Sequence, residues 1–240
     1  MALLRDIAHV LRTTWLILTF RPVRPKLTRL WPHYLAMGLL FTWLAGIGRH
    51  WDNPRAELWQ MMGLGSLVYV YVLSGFLWIT IAPLRPKNWR YMTVLVFVML
   101  TSPPAFLYAV PVERFLSAEG ARAANLTFLG IVALWRVVML GFFLERSAGF
   151  GPFKLAVALH FPLTFVVWAL AIFNPDHAVA FEIVRGMAGA DRTAAAPTSA
   201  DSAFAALRVM SVFALFAFPV LALAYAGIVV ARVIAWARGR

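Results

Sequence analysis

Residues Leu126 to Leu144, LTFLGIVALWRVVMLGFFL, form an apolar stretch with a single charge, Arg136, near its middle and Trp135 beside it. As a helix rising about 1.5 Å per residue, a stretch of this length crosses roughly 30 Å of hydrocarbon. An arginine at that depth costs about 2.5–3.5 kcal/mol on insertion scales. Something in the folded protein must offset that cost, and the rest of the chain reads as the surroundings of this helix.

Composition agrees with a membrane setting. The chain has 240 residues, 62% hydrophobic and 13% charged, where a soluble domain carries roughly 45–50% apolar and about 25% charged residues. That leaves no room for a sizeable soluble domain. The 22 Lys and Arg against 10 Asp and Glu would suggest nucleic acid in a soluble chain. Here they are better explained as basic flanks that fix helix orientation, and no nucleic-acid partner is expected. Cysteine is absent, which excludes disulfides, thiolate catalysis and cysteine-held metals.

The hydropathy pattern predicts an all-α, polytopic helical bundle with six spans, at about 31–48, 59–83, 91–111, 126–144, 155–173 and 209–232. The third contains Ser102-Pro103-Pro104, which removes two amide donors and leaves open whether that span is kinked or broken. Pro162 and Pro219 fall inside the fifth and sixth spans. Ahead of them, residues 3–15 have the pattern of an interfacial amphipathic helix. Arg5, Asp6, His9, Arg12 and Thr13 fall on one arc, with Leu3, Leu4, Ile7, Val10, Leu11 and Trp15 opposite. The same charges argue against a cleaved signal peptide.

Basic residues set the expected orientation. Segments 1–30, 84–90, 145–154 and 233–240 hold most of the Lys and Arg against Asp6 and Glu145 alone, while the alternate loops balance Arg with Asp and Glu. Both termini are therefore expected in the cytoplasm, with the protein multi-pass in an inner (plasma) membrane. Arg21, Arg24, Lys26, Arg29, Arg85, Lys87 and Arg90 would face anionic lipid headgroups. The domain reading is a cytoplasmic helix and basic linker at 1–30 and a five-span core at 31–173. An extracytoplasmic loop at 174–208 and a sixth span with its tail at 209–240 follow. Lys87–Pro104 and Gly151–Pro162 both run from a basic turn to a mid-span proline, a weak internal echo.

Within residues 66–173, the run YVLSGFLWITIAPLRPKNWRYMTVLVFVMLTSPPAFLYAVP followed by ALWRVVMLGFFLERSAGFGPFKLAVALHFP resembles the membrane domain of the Yip family, the Ypt/Rab-interacting membrane proteins and their bacterial relatives. The shared features are a glycine/basic turn, a helix ending in a conspicuous proline, a later Trp-centred helix and a Gly-x-x-Lys turn. The resemblance implies a helical bundle of five or so spans with a cytoplasmic N-terminus. The acidic N-terminal signature of the eukaryotic members is missing, so it implies no Rab-type partner and no particular activity.

Three groups are candidates for chemistry. Arg136, with Trp135 and His160, would bind an anionic ligand or lipid through the planar guanidinium fork. Alternatively Arg136 pairs with carbonyls freed by Pro103, Pro104 or Pro162, or with an acid on a partner subunit. His50, Asp52 and Glu57, in the loop GRHWDNPRAELWQ, would form an outer-leaflet catalytic set or, with Asp176 and His177, a metal site. The competing explanation is that Asp52-Asn53-Pro54 caps a helix. His160 would relay protons or bond a carbonyl across a helix interface. No resident metal or cofactor is expected.

The leading expectation is a non-enzymatic membrane protein: a subunit, scaffold or lipid-interacting accessory factor, with anionic lipids and possible membrane subunits or further copies of itself as partners. The alternatives are a small transporter of an anionic or lipidic substrate using Arg136, and an outer-leaflet enzyme.

Overall fold

In the computed structural model of the protein, residues 2–21, 27–48, 58, 62–173 and 199–238 are described. They are helical, without strands. Six stretches are long and apolar enough to cross a membrane: Arg29–Ile47, Leu64–Leu84, Tyr91–Ala109, Glu119–Arg146, Pro152–Ala169 and Val212–Arg238. The predicted bundle of apolar helices is present. The chain divides into two compact units, Met1–Gly151 and Pro152–Arg240.

The first unit is built around α4, Tyr91–Leu100, in which every residue from Val94 to Leu100 is buried. A helix apolar on all faces belongs in the middle of a bundle, and α4 takes that place with neighbours on every side. α2 (Leu27–Gly48) and α3 (Leu64–Ile81) pack on it and on each other. The Phe97 ring stacks on Phe143 of α5 (Ala118–Arg146) at 4.2 Å. Val10 of α1 (Ala2–Leu18) joins Val96, Leu100, Leu30 and Tyr34 in one buried cluster. The stretch that dominates the sequence, 126–144, is not the centre. α5 flanks the centre, with Leu134 and Val138 on its exposed side.

The third span is broken, not kinked. α4 ends at Leu100, and after Thr101-Ser102 a 3₁₀ segment runs from Pro103 to Ala109. Pro103 and Pro104 supply no N–H, so the next amide, that of Ala105, turns back to the Ser102 carbonyl at 2.9 Å. The Thr101 carbonyl is left without a backbone donor. Its own amide and hydroxyl close the end of α4 onto the Met99, Phe97 and Val98 carbonyls.

The amphipathic N-terminal helix forms, with one correction. Thr13, placed on the polar arc, is buried, because the Tyr34 hydroxyl donates to its Oγ1 at 3.1 Å. Arg5 and Arg12 stay exposed as expected. The chain after α1 is held by α5: Trp135 Nε1 donates to the Leu18 carbonyl at 3.1 Å, and Arg146 Nη1 to that of Phe20 at 2.9 Å. At the same end the Lys87 amide donates to the Ala148 carbonyl at 2.9 Å, and the Lys87 stem crosses Gly149, whose φ of 68° closes the turn after α5. The basic segments around residues 21, 85–90 and 146 therefore share one end of this unit.

At the other end α2 and α3 meet with almost no side chain between them. A Cβ on Gly46 would lie 2.8 Å from the Gly63 backbone. Trp43 Nε1 donates to the Met62 carbonyl at 2.9 Å, closing this seam.

The second unit is a pair of helices, α6 (Pro152–Phe173) and α7 (Ser199–Arg238), packed on one another. Their seam is aromatic: Phe161 stacks on Tyr225 at 4.4 Å and Trp168 on Phe218 at 4.7 Å. The sixth span thus packs against the fifth. Pro162 lies inside a continuous α6, whereas Pro103 and Pro104 break theirs. The two halves of the sequence echo therefore have different backbones.

Candidate functional site

The site is assembled from helix interruptions and from hydroxyls that the apolar sequence makes conspicuous only in three dimensions. α5 presents half-buried Arg136 to the break in the third span. Arg136 Nε donates to the free Thr101 carbonyl at 3.2 Å and Nη2 to Ser102 Oγ at 3.4 Å. Ser102 is paired at 2.9 Å with Thr42 of α2, and all three hydroxyl residues, Thr42, Thr101 and Ser102, are buried. The proline pair creates an acceptor, and the arginine is placed to use it.

These contacts do not saturate the cation. A guanidinium has five N–H donors; the Thr101 contact lies at the long end of the usual range of about 2.7–3.2 Å and the Ser102 contact beyond it. A charge-assisted bond contributes about 1.5–3 kcal/mol when well formed, so two long ones only partly offset the roughly 3 kcal/mol of placing Arg at mid-span. No Asp or Glu lies between Leu126 and Leu144 to balance it; Glu119 and Glu145 stand at the two ends of that helix.

Beside Arg136 is a cavity of about 310 Å³. α2 contributes Thr42 and Ala45 to its wall, and α3 contributes Ser66, Tyr69 and Val70. The broken span adds Ser102, Ala105 and Tyr108, while α5 adds Leu129, Val132, Ala133 and Arg136. Its floor is the packed cluster of Ala45, Ala105 and Val132. One cation and several hydroxyl residues line this space. Among the described residues no carboxylate lines it.

The other expected site residues lie elsewhere. Trp135 is adjacent to Arg136 in sequence but faces a different side of α5. It engages Leu18 and stacks against Phe20 at 6.0 Å. His160, in the second unit, places Nδ1 2.9 Å from the Ala156 carbonyl of its own helix, a local contact in place of one across a helix interface. Arg21, Arg29, Arg85, Lys87 and Arg90 are exposed, whereas Arg24 and Lys26 lie outside the described residues. So do His50, Asp52 and Glu57, together with Asp176 and His177. Among the described residues no group of three or more His, Asp or Glu side chains is placed to hold a metal ion.

Thr42, Ser66 and Tyr69 escape sequence reasoning. Isolated hydroxyl residues are common in membrane helices, where they bond back to their own carbonyls, as Ser74 does to Val70. Thr101-Ser102 had a usable signal in the proline pair that follows. Compared with known proteins, the chain matches no family model, no curated protein and no solved structure.

Proposed function

We propose that this chain is a non-enzymatic, multi-pass membrane protein that acts as a lipid-interacting accessory factor, holding an anionic ligand at Arg136. The observation that carries this reading is the under-used guanidinium beside a hydroxyl-lined cavity with no carboxylate among its described lining residues. A kinship of residues 66–173 with the Yip family is proposed as well; it supplies no ligand. The decisive experiment is purification from the native membrane with mass spectrometry of the protein and its lipids together. An anionic lipid retained by the wild type and lost in Arg136→Gln is the expected result. Equal retention by both would end the assignment, and a stoichiometric subunit with an intramembrane acid would transfer Arg136 to an interface.

A transporter is the second reading, favoured by the broken third span beside the site, since transporters place such interruptions at their binding sites. Flux of the bound anion across proteoliposomes separates a carrier from a receptor.

The proposed location is an inner membrane with both termini in the cytoplasm, supported by the clustering of basic segments at one end of the first unit. The chain lacks cysteine, so single substitutions report topology directly. Glu119→Cys is expected to react with an impermeant maleimide added outside intact cells, and Lys87→Cys to react only after lysis. The opposite pattern would invert the orientation.

A further inference from the structure

The rim of the Arg136 cavity limits what can reach it. α3 packs chiefly on α2 and α4, and α5 on the 3₁₀ segments that follow α4, and the cavity is lined from both helices. The residues that line it on those two helices include Tyr69, 51% exposed, and Leu129, 41% exposed, with Ala133 exposed between Leu129 and Arg136. These positions lie within stretches that cross the membrane, so the opening is lateral and faces hydrocarbon. A ligand arriving this way keeps an apolar tail in the bilayer while its polar head enters.

Charge and geometry narrow the head further. Among the described residues Arg136 is the only charged one lining the cavity, so one negative charge is neutralised and a second would stand unpaired at low dielectric. A phosphate monoester carries about −1.5 to −2 at neutral pH, whereas a diester carries a single charge. Polar groups reach the cavity from separate elements: Thr42 from α2, Ser66 from α3, Ser102 from the broken span and Arg136 from α5. With Thr42 and Ser102 bonded to each other, the groups left to meet a ligand are the Arg136 N–H donors and, on a different helix, the Ser66 and Tyr69 hydroxyls. That arrangement suits the tetrahedral oxygens of phosphate, while a planar carboxylate is satisfied by the guanidinium fork alone.

We infer that the cavity is a lateral site for the phosphodiester head of a membrane lipid, bound between α3 and α5. This inference rests on the reading of Arg136 as an anion site and specifies its ligand.

The test uses the full-length protein in detergent, titrated separately with dioleoyl phosphatidylglycerol, dioleoyl phosphatidic acid, oleate and inorganic phosphate, with bound ligand counted by native mass spectrometry. Phosphatidylglycerol is expected to bind one per chain, at least about tenfold tighter than the other three. Arg136→Gln should abolish this binding. Ala133→Trp, which fills the exposed rim and leaves the Thr101 and Ser102 contacts in place, should weaken it by a similar factor with unchanged thermal unfolding. Phosphatidic acid binding as well as or better than phosphatidylglycerol would overturn the diester assignment. Equal binding of oleate would overturn the phosphate assignment, and equal binding of inorganic phosphate the lipid assignment. Full binding by Ala133→Trp would overturn the lateral route. Each of these leaves the Arg136 anion site intact, whereas no binding by any probe would remove that site and this inference together.

Discussion

Replacing Arg136 with leucine is expected to ease membrane insertion and weaken the folded bundle at once. Insertion of the 118–146 helix should improve by about 3 kcal/mol, the cost of a central arginine. The folded state should lose about 1–3 kcal/mol, because the Thr101 carbonyl is left unsatisfied where the prolines supply no donor. A glycosylation-tagged insertion assay reads the first effect and unfolding in mixed detergent the second. Arg136→Lys should fall between wild type and leucine in unfolding. A single ammonium keeps the charge but does not reproduce the fork that spans Thr101 and Ser102. A leucine variant as resistant to unfolding as the wild type would mean that the contacts across the break contribute nothing.

The largest backbone effect is expected at Gly63. Its φ is 75°, a conformation that costs an L-residue about 1–2 kcal/mol. An added Cβ would also lie 2.8 Å from the Trp43 carbonyl oxygen and 2.9 Å from the Ile47 amide. Both obstacles are backbone, so α2 and α3 would have to separate and the Trp43–Met62 bond would stretch. Gly63→Ala should therefore destabilise the protein by about 3 kcal/mol, strain and overpacking together. Gly75→Ala is the control. It lies in α3 with nothing within 4 Å of its would-be Cβ, and should be neutral or stabilising by up to about 1 kcal/mol. Equal melting temperatures for the two variants would refute the close approach of α2 and α3.

Much of this fold is legible in the sequence because membrane helices are written as length and apolarity. Residues 126–144 mark a span, and the structure extends its helix to Ala118–Arg146. The added first turns are polar: Ser117 Oγ accepts from the Gly120 amide at 3.2 Å, and Glu119 sits in the first turn, where the helix dipole favours an acid. Hydropathy does not register such turns. The Ser102-Pro103-Pro104 break is legible too, since proline removes donors wherever it falls. The choice of centre is not. Val94–Leu100 and Leu126–Leu144 are both strongly apolar, and lipid accepts an apolar surface as readily as a protein core does. Only the tertiary contacts make α4 the buried one. The cavity was hidden for a related reason: Thr42, Ser66 and Arg136 lie far apart in the chain and meet only through the packing of α2, α3 and α5.

The tethering of α1 by α5 also sets an order of events during synthesis. Leu18 and Phe20 receive their hydrogen bonds from residues 117 and 126 positions later. At about 5–20 residues per second, the ribosome needs on the order of ten seconds to supply them. Through that interval the first helix has emerged without its final neighbours, carrying exposed Leu3, Leu4, Leu11 and Trp15 on one side and Arg5 and Arg12 on another. The bilayer surface suits that pattern as a waiting place. The amphipathic pattern is present before those contacts form and persists in the finished fold, which covers Val10 and Thr13.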